Sequence, residues 1–69
     1  MDEKLIRVYI TITSGMRGYF AVLIGVYKYP DGYISHEPIQ SGCGSYINRD
    51  DAIPEATSWS KSDEIPLEI

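Results

Sequence analysis

Residues 6–13, Ile-Arg-Val-Tyr-Ile-Thr-Ile-Thr, put Ile6, Val8, Ile10 and Ile12 at one set of alternate positions and Arg7, Tyr9, Thr11 and Thr13 at the other. Successive side chains of an extended chain point to opposite faces, so this period of two specifies a strand with one apolar face. Such a strand needs a neighbour to pair with. Ser14 to Gly18 carries two glycines and reads as a hairpin loop, and Tyr19 to Tyr29 follows as a second run of β-branched and aromatic residues. The two runs are expected to lie side by side, antiparallel.

A second reversal is written in Tyr29-Pro30-Asp31-Gly32-Tyr33. Pro30 supplies the fixed φ of a type I turn, Asp31 suits its second corner, and Gly32 can take the left-handed residue that follows. Tyr29 then pairs with Tyr33. Strand three is expected from Tyr33 to about Glu37, stopping near Pro38, which has no N–H to give to a ladder. Gln40 to Ser45 reads as a flexible connection, and Tyr46-Ile47 as a possible fourth short strand.

Ala52, Ile53, Ala56 and Trp59 recur at the spacing of one helical stripe. The helix can start at Asn48 or at Asp51. An Asn48 cap leaves Pro54 beyond the first turn at a cost of about 3 kcal/mol, whereas an Asp51 cap puts it where a missing donor costs little. The Asp51 cap is therefore expected, with the helix ending near Asp63 and residues 65–69 following as an extended tail or edge strand. The fold class is α+β: one domain over residues 1–69, a three- to four-stranded antiparallel meander with a C-terminal helix on one face.

At 69 residues only about 60% of the chain's surface can be buried, so the fold is marginal or completed by a partner. Cys43 is the single cysteine, so no intramolecular disulfide staples the chain, and a cytoplasmic location is expected. No targeting leader is read at the N-terminus, and the longest apolar run, Tyr19 to Val26, is far short of a membrane span. Residues 1–49 carry five basic and four acidic side chains, and residues 50–69 one basic and six acidic. Six scattered cations in a chain of net charge −4 supply no field for direct nucleic-acid binding, whereas a basic protein surface would be drawn to the acidic half.

Candidate chemistry is sparse. His36 and Cys43 are the only histidine and thiol, and no recognised spacing aims one at the other, so no catalytic residue is assigned. A metal shell would need Asp50 and Asp51 besides these two, and adjacent acids at a helix start are more simply caps and dipole partners. Ser-Gly-Cys-Gly-Ser lacks the lysine and spacing of a phosphate cradle. No metal or cofactor is expected, and the chain is read as a non-enzyme.

The tyrosines carry the functional reading. If the first loop keeps parity, Phe20, Val22, Ile24 and Val26 join Ile6, Val8, Ile10 and Ile12 beneath the helix. Leu5, Tyr9, Tyr19, Ala21, Leu23, Tyr27, Tyr29 and Tyr33 then gather on the bare face. Exposed aromatic surface of that kind either pairs across strands or marks a partner or homodimer interface. Tyr9, Tyr19, Tyr27, Tyr29 and Tyr33 are the candidate contact residues, and Asp50, Asp51, Glu55, Asp63 and Glu64 a secondary electrostatic set.

Residues 19–59 resemble the HicB-type antitoxin domain over about 40 of the 69 residues. Tyr19 to Ile24 looks like that family's first strand and Asp31 to Ile34 its second. Gly42-Cys43 followed by Asp50 to Ala56 resembles its Gly-Cys segment and acidic helix start. The chain departs from the pattern in its extra N-terminal strand, in residues 46–51 standing where a short turn is usual, and in Pro54. The resemblance implies a fold that neutralises a small RNase toxin, with no catalytic residues. Residues 44–67 are also similar to short uncharacterised cyanobacterial or phage-borne proteins, which implies no activity. The expectation is a non-catalytic module that regulates or inhibits a protein partner through the aromatic sheet face; the alternatives are an acidic, phage-type inhibitor of a nucleic-acid-handling defence complex and an antitoxin-like neutraliser of a small RNase toxin.

Overall fold

The structure, a computed structural model, describes residues 2–69. Strands β1 (Lys4–Gly15), β2 (Gly18–Lys28) and β3 (Ile34–Ser41) form one open antiparallel sheet in the order β1-β2-β3, and helix α1 (Arg49–Asp63) packs against β1 and β2. The α+β class, the meander and the C-terminal helix on one face are as the sequence predicts.

The register across the first loop is the main departure. Only Met16 and Arg17 separate the paired residues Gly15 and Gly18, so even positions of β1 face odd positions of β2: Ile10 pairs with Leu23 and Ile12 with Ala21. The expected parity is reversed, and a one-residue shift carries every side chain of β2 to the other face. Gly18 makes the tight loop possible, with φ at 111° and a Cβ site only 2.3 Å from the Tyr46 carbonyl oxygen. Ile6 is skipped in the pairing, between Leu5↔Tyr27 and Arg7↔Val26. This bulge moves Leu5 onto the face of Ile10 and Ile12 and brings Lys4 round to the face of Arg7 and Tyr9.

The second reversal is the turn expected. The Gly32 N–H donates to the Tyr29 carbonyl at 2.9 Å, the Tyr29 N–H to the Tyr33 carbonyl at 2.9 Å, and Gly32 sits at φ 89°. Strand β3, however, begins at Ile34 and runs through Pro38 to Ser41. Pro38 is tolerated because β3 is an edge strand, and the pairing is broken beside it: Ile24 pairs with Pro38 and Leu23 with Gln40, leaving Ile39 unpaired. A Cβ on Gly25 would lie 2.5 Å from Ile39 Cδ1, so the bulge drops Ile39 over Gly25.

Helix α1 is capped by Asn48, not Asp51; the Asn48 side chain makes no capping bond, and the Asp51 N–H donates to the Asn48 carbonyl at 3.1 Å. Pro54 therefore lies in the second turn, where it removes a hydrogen bond to the Asp50 carbonyl. The helix ends on Glu64, in the left-handed conformation at φ 56°, whose N–H returns to the Ser60 carbonyl. The tail then meets the free edge of β1. Ile10 N–H donates to the Pro66 carbonyl and Glu68 N–H to the Ile10 carbonyl, both at 2.8 Å, in a parallel bridge. Tyr46 contributes a single antiparallel bridge to Tyr19, which is as far as the fourth strand goes.

The core lies between helix and sheet. Ile10, Ile12, Ala21, Ala52 and Ala56 are buried, with Tyr19, Leu23, Tyr46, Ile53, Trp59, Ile65 and Leu67 packed around them. The two helical alanines let α1 approach the sheet closely. Fifteen helical residues span about 22 Å, whereas the twelve residues of β1 span about 40 Å, matching the molecule's longest dimension of 39 Å. The helix thus covers little more than half of the sheet, and the end bearing the β2–β3 turn projects beyond it.

Candidate interaction surface

Exposed large apolar side chains gather at the projecting end, with Met16, Ile47 and Ile69 exposed elsewhere. Leu5 (49%), Ile6 (47%), Tyr33 (64%), Ile34 (40%) and Ile39 (47%) are all accessible there. The register divides them between the two faces: Leu5, opposite Tyr27, and Ile39, over Gly25, lie on the helix side, whereas Ile34, opposite Lys28, lies on the other. At the tip, the Tyr29 and Tyr33 rings are tilted against each other with centroids 5.8 Å apart, and the two tyrosines with Pro30 and Asp31 line a shallow hollow. The tip is held by its own polar groups: Asp31 Oδ1 accepts from the Tyr33 N–H at 3.0 Å, and Glu37 Oε2 accepts from Ser35 Oγ at 2.9 Å and from the Tyr29 hydroxyl at 3.3 Å. Burial, with the nearby Glu37 charge adding, raises the Tyr29 hydroxyl above its ordinary pKa.

The face turned away from the helix is different in character. Here Tyr9 from β1 and His36 from β3 meet across the central strand, with the Tyr9 hydroxyl 3.0 Å from His36 Nδ1 and the rings edge to face at 5.9 Å. Strands separated by one neighbour lie about 10 Å apart, so these side chains bridge over β2. Val26, paired with both Arg7 and His36, is 2% exposed although no helix covers it. The Arg7 guanidinium lies 4.9 Å from the Tyr9 ring centroid and donates to Glu68 Oε2 at 2.6 Å.

A third cluster organises the sheet-to-helix connection. Glu55 Oε2 accepts from the Cys43 N–H at 2.9 Å, and Oε1 accepts from the Gly44 N–H at 3.2 Å and the Tyr46 hydroxyl at 2.8 Å. A Cβ at Gly42 or Gly44 would lie 2.2 or 2.5 Å from that carboxylate, so the glycines allow its approach. Ser-Gly-Cys-Gly-Ser, expected to be pliable, is clamped. The hydrogen bond to Glu55, and then burial, raise the Tyr46 hydroxyl above its ordinary pKa.

The expected tyrosine face is divided by the reversed register. Tyr19 packs into the core beneath the helix, Tyr9 lies on the opposite face, Tyr27 belongs to the helix-side face opposite Leu5, and Tyr29 and Tyr33 flank the turn. The acidic set is dispersed as well. Asp50 and Asp51 are exposed in the first helical turn, where they oppose the helix dipole. Glu55 is engaged by the loop, Asp63 Oδ2 accepts from Trp59 Nε1–H at 2.9 Å, and Glu64 is the C-cap.

The sequence-based contact set lacks Leu5, which the alternation puts on the bare face, Ile6, which it puts beneath the helix and which the bulge instead leaves exposed, and Ile34 and Ile39. A signal for them existed in the lengths, because a helix of the expected size cannot cover strands of the expected size. His36 pairs with Val26, while Gly42, next to Cys43, bonds to Ala21; the two levels are a five-residue step apart on β2, about 17 Å along the sheet. Among the described residues no group of three or more His, Cys, Asp or Glu side chains is placed to hold a metal ion. No helix among them is long and apolar enough to cross a membrane. Compared with models of protein families, with curated proteins and with solved structures, the chain matches none.

Proposed function

We propose that the chain is a non-catalytic protein-interaction module, active in the cytoplasm, that regulates or inhibits a protein partner through the projecting hairpin end of its sheet. The observation that carries this reading is the gathering of Leu5, Ile6, Tyr33, Ile34 and Ile39, each 40–64% exposed, at the end the helix does not reach. In a 69-residue protein with a small core, apolar surface left in water represents stabilisation forgone, and exposed apolar side chains gathered at one end of the molecule, on both faces of the sheet, support a contact site there. Tyr29 and Tyr33 supply rigid amphipathic area at that site, whereas Tyr19 serves the core. The separation of His36 from Cys43 supports the non-catalytic part of the reading.

The test is affinity capture from the native host with the tagged chain and with a Tyr33→Ser, Ile39→Ser variant. The expected outcome is a stoichiometric partner retained by the parent and lost by the variant, while circular dichroism and thermal midpoint stay the same. A partner retained equally by both would place the contact elsewhere on the molecule.

A further inference from the structure

The faces of the projecting end carry opposite charge. Glu37 lies on the helix side, where Ser35 and Tyr29 engage it. On the open face the register places Lys4 directly opposite Lys28, with Arg7 and His36 in the next row and Tyr9 behind them. Lys4 reaches this face only because the bulge at Ile6 shifts the phase of β1, and bulges commonly re-aim a side chain in this way. Glu68 is the acidic side chain that a contact brings here, and Arg7 holds it; Asp2 and Glu3 precede Lys4 in the chain, and the Glu3 charge acts on Tyr29.

Lys4 and Lys28 form no ion pair within 4.0 Å, and Arg7–Glu68 is the only salt bridge among the described residues. Like charges directly opposed across antiparallel strands destabilise the pair, so this arrangement works against the fold that contains it. Local conflicts of that kind concentrate at functional sites. Beside the two ammonium groups Ile34 offers an exposed apolar side chain, and Tyr9 and His36 offer ring edges.

We infer that the open face of the hairpin end docks an acidic segment of the protein partner, its carboxylates against Lys4 and Lys28 and its apolar side chains against Ile34. The inference deepens the proposed function and rests on it. Charge complementarity selects the occupant. A second copy packed face to face would bring two Lys4–Lys28 pairs together, and like-charge juxtaposition excludes wrong partners. A nucleic-acid strand would meet a chain of net charge −4, and at the hairpin end the ring that the open face offers besides His36, Tyr9, is already engaged by Arg7 and His36.

The experiment titrates the isotope-labelled full chain, at low salt, with a soluble glutamate–tyrosine copolymer and in parallel with single-stranded oligothymidylate and with unlabelled chain. Amide shifts are expected from the copolymer at Lys4, Arg7, Tyr9, Lys28, Ile34 and His36. Binding should weaken about tenfold in Lys4→Glu, the scale of one or two well-placed charge contacts. The same substitution turns a repulsive cross-strand pair into an attractive one, so thermal stability should hold or rise, which separates lost binding from lost fold. Copolymer shifts confined to other surfaces, undiminished binding by Lys4→Glu, equal or tighter binding of oligothymidylate, or the same shifts from unlabelled chain would each overturn the inference. A partner captured through Tyr33 and Ile39 but indifferent to Lys4→Glu would overturn it too, while leaving the proposed function in place.

Discussion

At the scale of single residues, one carboxylate joins three parts of the chain. Glu55 on the helix accepts hydrogen bonds from two backbone N–H groups of the glycine loop and from the hydroxyl of Tyr46, whose backbone bridges to Tyr19. Hydrogen bonds to a charged group contribute about 1.5–3 kcal/mol, and unpaired donors left behind add to the loss. Glu55→Gln should therefore lower stability by about 2 kcal/mol, read as a drop in thermal midpoint of roughly 10 °C for a domain of this size. The pH dependence follows from Tyr46. Its folded-state pKa is raised above the ordinary 10.0, chiefly by the Glu55 hydrogen bond, so the folded state favours the neutral phenol. That contribution is fully present below pH 10.0 and is lost as pH rises through the higher folded value. Urea midpoints measured from neutral to alkaline pH should fall on this limb, and in Glu55→Gln the fall from Tyr46 should be smaller. Identical alkaline limbs in the two proteins would remove Glu55 as the cause.

Among the elements, α1 carries an evident internal cost. Pro54 in the second turn removes one backbone hydrogen bond and crowds the preceding turn, which together cost about 3 kcal/mol in a helix interior, partly offset by a stiffer unfolded chain. Pro54→Ala should raise the urea midpoint, with a gain of about 1–2 kcal/mol and an unchanged denaturant slope; no gain would mean that the helix effectively starts at Asp51. The same element shows how much could be read from sequence. The stripe Ala52, Ile53, Ala56 and Trp59 announced the helix and its buried face, but Asn48 and Asp51 are both competent caps and only tertiary contacts chose between them. Ile10 and Ile12 were legible as core from alternation alone. Phe20, Val22, Ile24 and Val26 were assigned to the wrong face because face assignment depends on whether the loop holds an odd or even number of residues, and Ser14 to Gly18 fits either. Pro38 marks an edge or a break beside Ile39, but the bulge at Ile6 leaves no local signature, so the basic face could not be assembled from spacing. The turn at Pro30-Asp31-Gly32 was legible in full, since its chemistry is contained in the residues themselves.

For the molecule as a whole, the difference between a helix of about 22 Å and a sheet of about 40 Å predicts a gradient of stability. Local opening costs little where few buried contacts are broken, and protection approaches the global limit only beneath the packed core. Amides of Tyr9, Thr11, Val22 and Ile24, which alternate with the outward-pointing Ile10 amide and so face across β1 and β2 in the strands under the helix, should exchange slowest, because exposing them requires release of α1. Lys28 and Ser35, beside the turn and beyond the helix, should exchange at least about tenfold faster, as expected for a subglobal opening of the hairpin end. A contact partner would erase that gradient by binding only the closed hairpin, which adds protection in proportion to the logarithm of its free concentration. The measurement therefore also decides on self-association. If the helix-side surface of Leu5, Tyr27 and Ile39 pairs two copies, the hairpin amides should gain protection as protein concentration rises, and the radius of gyration should climb above 13.1 Å in step. A steep gradient independent of concentration would assign the surface to a different protein. Uniform protection in dilute monomer would show that the projecting end is stabilised from within and needs no partner to cover it.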